Sequence, residues 1–176
     1  MKGKGAVFLD RDGVVNKVLI RDGKVYSPRA LEEFNWEIGI QEAIRRLKDM
    51  RFMVIVVTNQ PDIARGKMSQ NILDAMTEKV YSTLSVDAVL VCPHDDGDEC
   101  TCRKPKAGMI LEASKKWDID CQSSFVIGDS WKDMVAGRAA GCTTILLDRF
   151  YNQEAECDHK VESLGEAVDL IIKNKL

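Results

Sequence analysis

Short apolar runs alternate with amphipathic stretches along almost the whole chain, and this alternation limits the possible folds more than any other feature. Ala6-Val7-Phe8-Leu9, Phe52 to Val57, Ala88 to Val91, Phe125 to Ile127 and Thr143 to Leu147 are compact runs without polar alternation. Each therefore reads as a strand covered on both faces. Between them, Ile40 to Met50 places Ile40, Ala43, Ile44 and Leu47 at helical spacing, with Arg45, Arg46 and Lys48 opposite. Further helices are expected at Ser69 to Leu84, Ala107 to Trp117, Trp131 to Ala139 and Leu164 to Ile172. Such alternation requires right-handed crossovers and a parallel sheet with helices on both faces. At 176 residues the chain is too short for an eight-stranded barrel, which needs roughly 250. The expected fold is α/β: a three-layer, Rossmann-like open parallel sheet, as a single domain over residues 1–176.

The segment from Asp12 to Trp36 breaks this rhythm, because it contains no helical pattern. Val18-Leu19-Ile20 and Lys24-Val25-Tyr26 flank Arg21-Asp22-Gly23, and Asp-Gly between two β-prone runs signals a hairpin. Ligands of open α/β sheets bind beyond the carboxyl ends of the strands. A hairpin directly after the first strand is thus placed to serve as a flap over that edge.

The net charge of -3 gives no basic footprint for nucleic acid. No apolar run approaches the roughly 20 residues needed to span a bilayer. Met1-Lys2-Gly3-Lys4-Gly5 opens onto only four apolar residues, short for a secretory signal. A cytoplasmic monomer with neither nucleic-acid nor membrane partners is expected.

The same edge rule gathers the polar residues into a candidate site. Asp10 and Asp12 follow the first strand, Thr58 and Asn59 the second, and Asp129 follows the fourth through Gly128. Carboxylates this close raise each other's pKa unless a cation joins them, and magnesium suits carboxylates together with a substrate phosphate. Taken singly, each residue has a plainer reading. Asp10-Arg11-Asp12-Gly13 could be a turn; a calcium loop fails because Val14 and Val15 occupy its third-ligand and glycine positions. Ser130 and Asp133 have the spacing of a helix capping box. Arg103 and Lys104 lie just before a helix whose N-terminus could help hold an anion. As a set they supply what phosphoryl transfer needs: a carboxylate nucleophile, a metal, a lysine and hydrogen-bond donors.

Three of the six cysteines crowd one stretch, Cys92-Pro93-His94 followed by Cys100-Thr101-Cys102. Cys92, His94, Cys100 and Cys102 form the ligand complement of a tetrahedral structural zinc. That ion would stiffen the loop that delivers Arg103 and Lys104. Asp95 to Glu99, inside the loop, reads as a solvated acidic connection, and His159 as an exposed or structural tail residue.

Asp10-Arg11-Asp12-Gly13, Thr58-Asn59-Gln60, Arg103-Lys104-Pro105 and Gly128-Asp129 with Asp133 resemble, in order, the four motifs of the haloacid dehalogenase superfamily. Within it the chain resembles the D-glycero-D-manno-heptose 1,7-bisphosphate phosphatases. The shared features are Ile63-Ala64-Arg65-Gly66 after the second motif, the cysteine loop, and Gly108-Met109 after the third. The resemblance covers nearly the whole chain. It implies that Asp10 is the nucleophile and that Asp12 is first acid and then base. It implies magnesium held by Asp10, the Asp12 carbonyl and Asp129, with Asp133 in support. Thr58 and Lys104 would steady the phosphoryl group, and Asn59, Gln60, Arg65 and Arg103 would bind substrate. It leaves no room for a large cap domain. The expected reaction is removal of the 7-phosphate of the heptose bisphosphate. Pro61-Asp62 departs from the small Ser-Gly-like pair of the heptose enzymes. Histidinol-phosphate phosphatases share the aspartates and a similar loop, and form the alternative. A zinc-stabilised domain that binds phosphate without turnover, like a receiver domain, is the alternative of another class.

Overall fold

Ala6 to Leu9 bury every side chain completely and form β1 (Ala6–Leu9), an inner strand of the sheet. The computed structural model describes residues 3–152 and 155–175; Met1 and Lys2 of the short N-terminal segment lie outside them. Along the chain follow β2 (Leu19–Arg21), β3 (Lys24–Tyr26), α1 (Ile40–Asp49), β4 (Met53–Asn59), α2 (Gln70–Thr83) and β5 (Ala88–Cys92). Then come α3 (Gly108–Trp117), β6 (Phe125–Gly128), α4 (Trp131–Ala140), β7 (Thr143–Leu147), β8 (His159–Val161) and α5 (Leu164–Lys175).

The sheet order is β5-β4-β1-β6-β7-β8, with every pairing parallel. Alternate side chains of each strand feed two cores. Val7 and Leu9 pack with Ile44 and Leu47 of α1 and Val168 and Ile171 of α5. Ala6 and Phe8 pack with Ile110 and Ala113 of α3 and Ala136 of α4. This is the expected three-layer Rossmann-like arrangement. Among the described residues no helix is long and apolar enough to cross a membrane.

Register places the functional edge. Leu9 pairs with Val56 of β4 and Ile127 of β6, so the residues that follow all leave the sheet on the same side. β4 runs two residues further than its apolar pattern, so Thr58 and Asn59 end the strand opposite Val91 and Cys92. The hairpin forms as expected: β2 and β3 pair antiparallel, and Asp22 and Gly23 turn at φ 50° and 70°. The segment that holds it, Asp10 to Gly39, is the longest stretch between a sheet strand and the next α-helix, and no large cap is present among the described residues. β8 was not anticipated. His159, expected to be merely exposed or structural, is its first residue and pairs with Ile145. A three-residue, half-exposed edge strand carries too little apolar pattern to announce itself.

Candidate active site

Asp10 leaves β1 with its backbone N–H still bonded to the Ile127 carbonyl at 3.0 Å. Its Oδ1 accepts from Lys104 Nζ at 2.8 Å and from the Arg11 backbone N–H at 2.7 Å. Lys104 is 4% exposed and donates also to the Val57 carbonyl at 2.9 Å and to Asp133 Oδ1 at 2.6 Å. Asn59 fixes the loop that carries this lysine: its Nδ2 donates to the Lys104 carbonyl at 2.9 Å and its Oδ1 accepts the Lys104 N–H at 3.0 Å. Burial works against the lysine's charge, but Asp10 and Asp133 overcome it and raise its pKa.

Asp10, Asp129 and Asp133 bring carboxylate oxygens within 4.8 Å of one another. Burial and Asp133 push Asp129 up to about 7; burial and Asp133 also raise Asp10, against the opposing pull of Lys104. One lysine among three carboxylates, two buried and one partly buried, leaves the cluster short of positive charge, and its oxygen-only donors fit a hard divalent cation. Gly13, at φ 90°, is required here because a Cβ would lie 1.9 Å from Asp129 Oδ2. Asp133 keeps its capping box with Ser130 while its other oxygen holds Lys104, so the capping and supporting roles coincide.

Asp12 faces a different environment. Its oxygens accept from Arg11 at 3.0–3.2 Å, from Asn16 Nδ2 at 2.9 Å and from Gln60 Nε2 at 2.8 Å. Burial pushes its pKa up, yet the Arg11 guanidinium and bonds from Asn16, Gln60 and Ser27 outweigh that and hold it below the usual range. Gln60, expected to touch substrate, is 1% exposed and instead bridges Asp12 to the Thr58 hydroxyl, 2.9 Å away.

Above these groups opens a cleft of about 410 Å³, walled on one side by Val18, Val25 and Ser27 of the hairpin segment. Arg65 and Arg103 line its rim, each engaged by the zinc-candidate loop. Arg65 donates twice to Asp95, at 2.7 and 2.6 Å, and holds that carboxylate down at about 2. Arg103 donates to Asp96 at 2.7 Å and to the His94 carbonyl at 3.3 Å. Asp95 and Asp96 are thus ion-pair partners rather than a merely solvated connection. Asp62, the departure beside the second motif, pairs with Arg29 and Arg65. Ser130, Trp131 and Lys132, at the start of α4, also line the cleft, whereas no residue from the start of α3 does. The helix terminus bordering the site is therefore that of α4, not the one after Lys104.

Cys92, the buried last residue of β5, gathers His94, Cys100 and Cys102 around it. Sulfur–sulfur separations are 3.1, 3.5 and 3.6 Å, and His94 Nδ1 lies 3.6 Å from Cys92 and 3.4 Å from Cys102. None of the cysteines is in a disulfide. A tetrahedron with metal–sulfur arms of about 2.3 Å has sulfur–sulfur edges of about 3.8 Å, so the four donors fit a structural zinc.

A family model described as HAD-hydrolase-like matches residues 101–171. The D-glycero-beta-D-manno-heptose-1,7-bisphosphate 7-phosphatase of Haemophilus ducreyi is 36% identical over 96% of this chain and 97% of its own. The chain belongs to the heptose 1,7-bisphosphate 7-phosphatase family. It is a phosphatase of the haloacid dehalogenase type. Another family member, the alpha-heptose enzyme of Campylobacter jejuni, is also 36% identical, over 96% of both chains. The crystal structure of the D,D-heptose 1,7-bisphosphate phosphatase from B. bronchiseptica, complexed with magnesium and phosphate, superposes with a TM-score of 0.84. It is 30% identical and covers 97% of this chain and 99% of its own.

Two residues of this family member escaped the sequence reading. Arg11, 1% exposed, lies over the Phe34 ring at 5.5 Å and sets the charge of Asp12; a cation at the end of a buried strand was the available signal. Tyr151 donates to Asp129 Oδ2 at 2.6 Å from an irregular segment after β7, where no motif marks it.

Proposed function

We propose that the chain hydrolyses the 7-phosphate of D-glycero-D-manno-heptose 1,7-bisphosphate, with magnesium, through an aspartyl-phosphate on Asp10. The observation that carries this reading is the Asp10 carboxylate, bonded to Lys104 beside Asp129 and Asp133 at the floor of an open cleft. Asp10, the Asp12 carbonyl and Asp129 would hold magnesium, which when bound offsets negative charge on the carboxylates and the phosphoryl group.

The free carboxylate oxygen of Asp10 attacks phosphorus, and the bond to the sugar oxygen breaks. Asp12 gives its proton to that oxygen, then takes one from the water that splits the phosphoaspartate and restores Asp10. The resting Asp12 carboxylate suits the second step. A phosphate dianion arriving beside it favours the protonated form that the first step requires. Lys104 neutralises phosphoryl oxygens, and Thr58, which accepts from Gln60, keeps its own hydroxyl proton to donate. Arg65 and Arg103 grip the distal part of the substrate. Cys92, His94, Cys100 and Cys102 would hold a structural zinc, which when bound stiffens the loop that carries Arg103 and Lys104. We place the protein in the cytoplasm, as a single-domain monomer acting on a small phosphorylated sugar, a setting that six free cysteines fit.

Phosphate release should be measured, with and without magnesium, from both anomers of heptose 1,7-bisphosphate, histidinol phosphate and fructose 1,6-bisphosphate. One heptose anomer is expected to dominate by at least tenfold in kcat/KM, and Asp10→Asn to abolish release. Preference for histidinol phosphate would keep the mechanism and overturn the substrate.

A further inference from the structure

We infer that Tyr151 is a positioning residue for the magnesium site: its hydroxyl pins one oxygen of Asp129 and leaves the other for the cation. The inference rests on the reading of Asp129 as a metal ligand.

The Tyr151 hydroxyl donates to Asp129 Oδ2 at 2.6 Å, the short end of the range for such a bond. Gly13 crowds the same oxygen from the opposite chain segment, since a Cβ there would sit 1.9 Å from it. Oδ2 is therefore held between a phenol and a backbone, while Oδ1 carries no hydrogen bond among the described residues. The next residue grips Asp129 by its main chain. Asn152, 5% exposed, donates to the Asp129 carbonyl at 2.8 Å and to the Leu147 carbonyl at 2.6 Å. Its Oδ1 in turn accepts the Arg149 N–H at 2.9 Å, which closes the segment into a turn anchored on the end of β7.

Two consecutive residues thus fix the side chain and backbone of one carboxylate from 22 and 23 positions downstream. A carboxylate free to rotate would have to be ordered as the cation binds; one already pinned is not. Partners that orient a ligand in this way typically account for about 10–100-fold in metal affinity.

The test is calorimetric titration of magnesium into the zinc-loaded, magnesium-free chain, without substrate, for the wild type and for Tyr151→Phe, Phe150→Ala and Asp129→Asn. Thermal melting confirms that each variant is folded. Tyr151→Phe is expected to weaken magnesium binding about tenfold or more. In turnover it should raise the magnesium concentration for half-maximal rate, with kcat largely restored at saturating metal. Phe150→Ala, which removes an exposed ring packed edge-on against Tyr151, should leave the affinity unchanged. Unchanged or tighter binding by Tyr151→Phe, alongside loss of binding by Asp129→Asn, would overturn the positioning role alone. Equal weakening by Phe150→Ala would overturn it too, by assigning the effect to the segment rather than the hydroxyl. Wild-type affinity in Asp129→Asn would overturn the metal reading and this inference with it.

Discussion

Lys104 serves three acceptors from a site that water hardly reaches: two carboxylates and the carbonyl of Val57. Replacing it with methionine keeps the volume and removes the charge. Asp10 and Asp133 would then face each other buried and uncompensated, a defect that typically costs about 3–5 kcal/mol. Urea unfolding of Lys104→Met without added magnesium should read a loss of that size. Added magnesium should recover part of the stability, yet phosphate release should remain at least about a hundredfold down, because the phosphoryl oxygens have lost a charged donor. Asp10 and Asp129 could be grouped from the sequence because each stands just past an apolar run, whereas the ties of Lys104 to Asp10 and Asp133 came only with the structure. Gln60 was misread because its partner, Asp12, lies 48 positions away and sequence spacing does not reveal which way a strand-end amide points.

At the scale of elements, the cysteine loop ties the end of β5 to the start of the Arg103-Lys104 segment. Its donors span only eleven positions, so a zinc ion at their centre would hold the loop compact. Removing zinc with a strong chelator, or substituting Cys100→Ser, should lower the melting temperature and the rate of phosphate release together. Readdition of zinc, but not magnesium, should restore both in the wild type. Full activity in a zinc-free protein of unchanged stability would leave the cluster without a structural role. The loop's candidate ligands could be grouped from the sequence because soft donors at close spacing are rare by chance, and the structure brings the four together. β8 was not legible there, because part of its attachment comes from a side chain rather than from pattern. Asp158, just before it, accepts from the Thr144 N–H at 2.8 Å and from the Thr144 hydroxyl at 2.6 Å, and so ties this edge of the sheet to β7.

Across the whole molecule, the parallel sheet and its two-sided core followed from strand runs that stay apolar on both faces, and the hairpin from one Asp-Gly turn, whereas the order of the strands came only with the structure. The rim did not follow, because its charges meet only when three separate loops fold together. There Arg29, Asp62, Arg65, Asp95, Arg103 and Asp96 form a chain of alternating sign around the cleft mouth. On the proposed binding of substrate by Arg65 and Arg103, the mouth would work as an ion exchanger. The two arginines at rest already hold anions supplied by the protein itself, and an incoming phosphate would have to displace those carboxylates. Few dissolved anions wait there to be released, so substrate affinity should respond only weakly to ionic strength. Asp96→Ala opens one exchange position to chloride: its KM should fall below wild type at low salt and climb more steeply as salt rises. The acidic loop would then be a counterion that the chain carries with it, balancing the arginines of the mouth until substrate takes its place.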